Sequence, residues 1–112
     1  MPGDAAVRGR ASLTSAGTAT IIAYATSTRI GVLKGLITVS VGTGVAVGSI
    51  IETDSTGSDS AVMVGKWSCS APMVLPFDFG PAGVLSSLNS RVVLQLESSN
   101  ASVFCSVVGE RR

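Results

Sequence analysis

The chain contains no histidine, only two cysteines, and few aromatic or charged residues (4% and 13%). Each shortage excludes something. Without histidine there is no Ser-His-Asp or Cys-His arrangement, and the commonest general base and neutral metal ligand are missing. Two cysteines without histidine cannot complete a structural zinc site. No Gly-Lys-Ser/Thr phosphate loop occurs, and Gly42-Thr43-Gly44 lacks the remaining glycine of a dinucleotide loop. The charged share is about half the usual value of roughly 25%. A surface so poor in charge points to area covered by another chain.

What is present is Gly, Ser, Thr, Ala and Val in alternation. At 112 residues the chain makes one domain with one core. That core must be built from Val, Ile, Leu and Ala, because the aromatics are only Tyr24, Trp67, Phe77, Phe79 and Phe104. Two long stretches without charge, Ala11 to Thr28 and Gly35 to Ile51, approach the length of a membrane span. Both are studded with Gly, Ser and Thr, so strands are expected and a membrane partner is not.

Residues Met1 to Arg10 carry Pro2, Gly3, Gly9, Asp4, Arg8 and Arg10. This composition predicts a flexible N-terminal arm over 1–10 and a β domain over 11–112. Asp4, Arg8 and Arg10 also stand where a secretory signal needs its apolar run, so Cys69 and Cys105 are both expected as buried free thiols; their pairing stays open.

Strands are expected at Ala11 to Ser15, Thr18 to Thr26, Ile30 to Val41, Val45 to Thr53 and Ala61 to Cys69. Further strands follow at Met73 to Leu75 (an edge, between Pro72 and Pro76), Arg91 to Glu97 and Ala101 to Val108. Gly42-Thr43-Gly44 reads as a hairpin turn, and Asp54 to Ser60 as a polar, mobile loop. In Arg91 to Glu97, Val92, Leu94 and Leu96 alternate with Gln95 and Glu97. About seven or eight antiparallel strands and no helix make an all-β sandwich of jelly-roll type.

Few residues offer chemistry. Glu52 and Glu97 are the only conceivable acid pair, and no other feature supports them; catalysis is not expected. Asp54 and Asp59 match no calcium loop, so no metal or cofactor is expected. The net charge of +1 and the lone Lys66-Trp67 pair give no nucleic-acid surface, and Trp67 reads as core. The candidate contact residues are Arg8 and Arg10 for a partner protein, and Ile22, Tyr24, Phe77 and Phe79 for self-association.

The order of features resembles a known class. Thr18 to Ala25 leads to Arg29-Ile30-Gly31-Val32-Leu33 and a Gly-rich connection. Met73 to Phe77 then runs into Gly80-Pro81-Ala82-Gly83, Leu88 to Leu94 and a final Ser-rich hairpin. Over residues 18 to 109 this is similar to head decoration (cement) proteins of tailed phages, although the basic N-terminal segment has no counterpart in them. The resemblance implies a small jelly-roll-like virion protein, a homotrimer or sometimes a dimer. It would bind the major capsid protein on the outer surface of a head, after residence in the host cytoplasm during assembly. Arg8 and Arg10 would then face the shell, on an arm that orders on docking. The alternative is a trimeric tail-fibre or spike module that binds a host-surface receptor or glycan through a loop such as Asp54 to Ser60; the shortage of aromatics counts against it.

Overall fold

The computed structural model describes residues 5–54, 60–98 and 100–112. Nine strands and no helix are seen there: β1 (Ala5–Leu13), β2 (Gly17–Ile22), β3 (Ile30–Val41), β4 (Ala46–Thr53), β5 (Ser60–Cys69), β6 (Met73–Asp78), β7 (Val84–Leu85), β8 (Arg91–Leu96) and β9 (Ala101–Arg111). Sheet A runs β1-β9-β3-β6, with the short β7 also on β3; sheet B runs β2-β8-β4-β5. All pairings are antiparallel. Setting β7 aside, first pairs with last, second with next to last, and so inward to β4 with β5. This nesting is the double Greek key of a jelly roll, the sandwich expected from the alternation.

The core lies between the sheets. Ile30, Val32, Ile37, Ile50, Val92 and Leu94 are fully buried, joined by Leu96, Val103, Cys105 and Val107. Branched aliphatic side chains fill a pleated interior well, and each buried one stabilises the fold by about 1.5–3 kcal/mol. Val92, Leu94 and Leu96 point inward as their spacing predicts. Trp67 also belongs to the core, packed over Gly48, where a Cβ would collide with its ring.

Two local expectations are corrected, and two strands depart from simple alternation. The first concerns the arm. Residues 5–10, expected to be flexible, belong to β1, which pairs with β9 from Ala5↔Arg111 to Leu13↔Val103. Val7, Ala11 and Leu13 pack on the core while Arg8, Arg10 and Ser12 face outward. The charges thus occupy the solvent positions of a strand. Residues 1–4 of the expected arm lie outside the described residues, as do 55–59 of the expected mobile loop. The second correction concerns Gly42-Thr43-Gly44. This is no hairpin, because both neighbours of β3 in sheet A are already supplied by β9 and β6. The segment carries the chain across to sheet B, with Gly44 at φ 75° and the Gly42 N–H donating to the Asn100 carbonyl at 2.8 Å.

Irregular registers account for the two departures from alternation. In β3 the register shifts between Val32 and Lys34. One extra residue reverses the alternation, so Ile30 and Val32 share the core with Ile37 and Val39. In β5 a similar shift buries Met63 and Val64 in succession, leaving Val62 exposed. The Met73–Leu75 edge strand extends to Asp78, and its position at the margin of sheet A is why Pro76 is tolerated.

One end of the sandwich is closed by the segment 79–90. The Ser86 N–H donates to the Ile30 carbonyl (2.8 Å), and its Oγ accepts from the Ile30 N–H (2.9 Å). Asn89, left-handed at φ 58°, accepts from the Ser27 N–H through Oδ1 and donates its own N–H to the Thr28 carbonyl. Glu52 accepts from the Ser87 N–H at 2.7 Å. Arg112 donates to the carbonyls of Pro81 and Ala82 and to the Glu110 carboxylate.

Cys69 and Cys105 are unpaired. Desolvation pushes the fully buried Cys105 thiol up to about 11, against a smaller lowering by a backbone hydrogen bond from Ala11. The unfolded thiol ionises near pH 8.5. Its contribution to stability is therefore complete below that value and is lost as pH rises toward about 11. Chemical denaturation at stepped pH should show stability falling through this window by roughly 3 kcal/mol more in the native chain than in Cys105→Val. Packing is tested by Gly48→Ala. Its new methyl meets Trp67 and lies 2.8 Å from the Gln95 carbonyl oxygen, whereas Gly65 has open space around it. Gly48→Ala should cost about 1–3 kcal/mol in a denaturant titration, and Gly65→Ala close to nothing.

Candidate functional site

The outward positions of sheet A form one continuous face. The registers align them in rows across four strands. Arg8, Val108, Lys34 and Asp78 form one row; Arg10, Ser106, Leu36 and Pro76 the next; Ser12, Phe104, Thr38 and Val74 the third. Large apolar side chains stand exposed here: Phe104 at 45%, Leu36 at 39% and Val74 at 62%. Isolated apolar residues on a surface are ordinary, but three on adjacent strands of one face are a patch.

Two depressions cut this face and meet at Ser106 and Val108. One, of about 480 Å³, is lined by Arg8, Arg10 and Phe104; the other, of about 510 Å³, by Lys34, Leu36, Pro76 and Asp78. Arg8 and Asp78 stand three strand spacings apart, about 14 Å. Asp78 accepts from the Gly80 N–H at 2.8 Å, and Glu110, at the end of the β9 row, is held by Arg112 at 2.7 Å.

The structure thus brings Arg8 and Arg10 together with apolar residues that the sequence reading did not single out. Phe104 and Val108 share their parity with Ser102 and Ser106, opposite the buried Val103, Cys105 and Val107, so the strand period places them outward. The self-association candidates are dispersed. Ile22 is 2% exposed and belongs to the core, which removes it as a contact residue: the shift between Thr20 and Ile22 turns it inward beside Ile21. Tyr24 is exposed in the β2–β3 connection. Phe77 is half-buried against the core, its ring over Gly35 and 5.4 Å from that of the more exposed Phe79. Tyr24 and Phe79 lie at the same end of the sandwich, as do the exposed Leu85 and Leu88.

The remaining chemistry is scattered. Glu52 lies opposite Val92, while the Glu97 N–H reaches the Val47 carbonyl. Five residues of strand, about 17 Å, part the two acids, too far for a catalytic pair. Glu97 instead bridges to Lys66 at 3.1 Å on an exposed surface. No group of three or more potential metal-binding side chains occurs among the described residues, and no helix there is long and apolar enough to cross a membrane. On the outer side of sheet B, a polar trough of about 220 Å³ is lined by Thr18, Thr20, Thr53, Arg91 and Gln95 over Ile51 and Val93.

No family model matches the sequence, and no curated protein does. The fold is shared with a chain in the structure of infectious bursal disease virus, Gt strain. The TM-score is 0.50 at 9% identity, over 97% of this chain and 32% of that one. The protein thus spans about a third of that viral chain. Looser likenesses are to a chain of Bacillus endospore appendages, described as disulfide-linked pili (TM-score 0.48, 15% identity, 95% and 88% covered), and to the SPBc2 prophage-derived protein YomS (0.42, 16%, 91% and 95%). At these identities the likeness is one of fold.

On the outward face of sheet A, Phe104 and Leu36 keep much of their surface exposed. Phe104→Thr and Leu36→Thr should leave the denaturation midpoint within about 0.5 kcal/mol of the parent. Both should shorten retention on a hydrophobic-interaction column. A large loss of stability would mean that these side chains serve the core instead.

Proposed function

We propose that this is a non-enzymatic structural protein of a phage virion, which sits on the outside of the head and stabilises the lattice of the major capsid protein. The observation that carries the reading is the outer face of sheet A: a rigid four-stranded platform with an exposed apolar centre and Arg8, Arg10 and Lys34 around it. A surface of that kind is built to adhere. Support also comes from the resemblance over residues 18 to 109, and from a fold shared with a chain in a virus structure.

The mechanism needs no bond chemistry. Packed DNA presses outward on a head and strains the contacts between its subunits. A stiff sandwich that bridges neighbouring subunits adds binding free energy only where they stand in the expanded lattice. Copies joined as a trimer or dimer engage several sites at once, so modest contacts multiply through effective concentration. The exposed Tyr24, Phe79, Leu85 and Leu88 at one end of the sandwich supply the apolar surface for that self-association. Arg8 and Arg10, fixed in β1 and facing outward, supply contacts to the shell.

A second reading, a trimeric tail-fibre or spike module for a host-surface glycan, is favoured by one observation. The trough on sheet B offers an arginine, an amide and threonine hydroxyls above an apolar floor. Copy number separates the two. Quantitative mass spectrometry of purified particles should find the protein at hundreds of copies, and it should co-sediment with expanded heads but not with unexpanded ones. A handful of copies per particle would reverse the ranking.

A further inference from the structure

We infer that the outer face of sheet A recognises an acidic protein surface bearing apolar side chains, rather than a second copy of this chain or a nucleic acid. This rests on the reading of that face as the one that docks, and it names the chemistry of what docks there.

Charge decides among the occupants. Among the described residues, the two depressions hold three cations, Arg8, Arg10 and Lys34, against one carboxylate, Asp78. The surplus is two positive charges on a face that spans about 14 Å between its outer strands. Among the described residues, none of the three cations has a side-chain ion pair, whereas Lys66 and Arg112 do. Two copies placed face to face would confront one another with this surplus doubled. An Arg8–Asp78 contact across the interface would leave Arg10 and Lys34 of each copy uncompensated. Like charges brought together in a partly dehydrated contact oppose association.

A nucleic acid fits the charge but not the shape. Its phosphates would lie over Leu36, Val74, Pro76 and Phe104, which offer them no hydrogen bonds, and beside Asp78, which repels them. A protein surface meets both demands. Carboxylates reach the guanidinium groups of β1 and the Lys34 ammonium. An apolar side chain enters each depression, one against Phe104 and the other against Leu36 and Pro76. The stems of Arg8, Arg10 and Lys34 extend the apolar lining while their heads stay in water.

The test uses expanded phage heads stripped of the protein, with binding followed by co-sedimentation. Raising NaCl from 50 to 500 mM should weaken binding clearly, since rim charges are screened. Arg8→Glu with Arg10→Glu should lower affinity by about tenfold or more, because each weak pair is counted at several sites. Asp78→Asn, which keeps an acceptor for the Gly80 N–H, should strengthen it a few-fold. Thermal melts of each variant show that folding is intact. If native protein binds heads while salt and the arginine reversals change nothing, the inference falls and the decoration reading stands. If the native protein binds no head at all, the reading falls and takes the inference with it. Self-association in sedimentation equilibrium that Arg8→Glu abolishes would overturn the inference in favour of a second copy. Retention on duplex DNA at 150 mM NaCl would overturn it in favour of nucleic acid.

Discussion

Everything in this molecule depends on β9 lying between β1 and β3. The last strand pairs with the first over its whole length and with the longest strand at the same time, from Ile30↔Arg111 to Val41↔Ala101. Without it, β1 has no ladder partner and sheet A is left with β3 and its two lesser neighbours. The contact is as non-local as the chain permits. Sheet A therefore closes only once the C-terminal residues are available, and the entropy of closing that loop is offset late. The alternation in β9 does two jobs in consequence. Val103, Cys105 and Val107 seal the core, and Phe104, Ser106 and Val108 form the spine of the outer face.

The same strand holds the outer face of sheet A in hydrogen-bonded ladders. Its residues are not on loops. Arg8 and Arg10 are fixed by the β1–β9 ladder, and Leu36 and Lys34 by the β3–β9 ladder. Binding through this face, as proposed, would cost side-chain rotamer freedom but little backbone order. The expected arm over 1–10 would have served differently, ordering on contact at an entropic cost. With residues 5–10 already in a strand, the basic segment is preorganised in place of being recruited.

Much of the fold is legible in the sequence, and its limits are local. Val92, Leu94 and Leu96 announce their inward face because nothing interrupts the period. Ile30 to Val41 is read as one strand with the right ends, yet the shift at Val32/Lys34 turns its first two apolar residues to the parity opposite the rest, and no propensity marks a bulge. Ile22 fails for the same reason: the shift after Thr20 buries what alternation places outside. Arg8 and Arg10 read as part of an arm and not of β1, because a strand carrying two arginines and a glycine resembles a tail unless its partner is known. Gly9 needs to be glycine because β2 crosses so near that a Cβ would strike the Ile21 carbonyl, a constraint visible only in three dimensions. Phe104 was hidden by its own hydrophobicity, since an exposed aromatic reads as core until the sheet has two sides.

The scarcity of charge is itself informative once several of the charges are located. Lys66 is paired with Glu97, Arg112 is committed to Glu110 and two carbonyls, and Arg91 donates to Thr53 Oγ1 at 3.0 Å. Glu52 receives the Ser87 N–H. These groups fasten loops and strand ends. Arg8, Arg10 and Lys34 have no such task and stand on one side of one sheet. In a chain with only eight cations, three stand together on one outward face, around apolar groups that are themselves exposed. Ser and Thr keep the rest of the surface wet at no electrostatic cost, so net charge stays near neutral while the local field on sheet A does not. A small overall charge and a locally basic face are therefore compatible, and at contact distance it is the local field that counts.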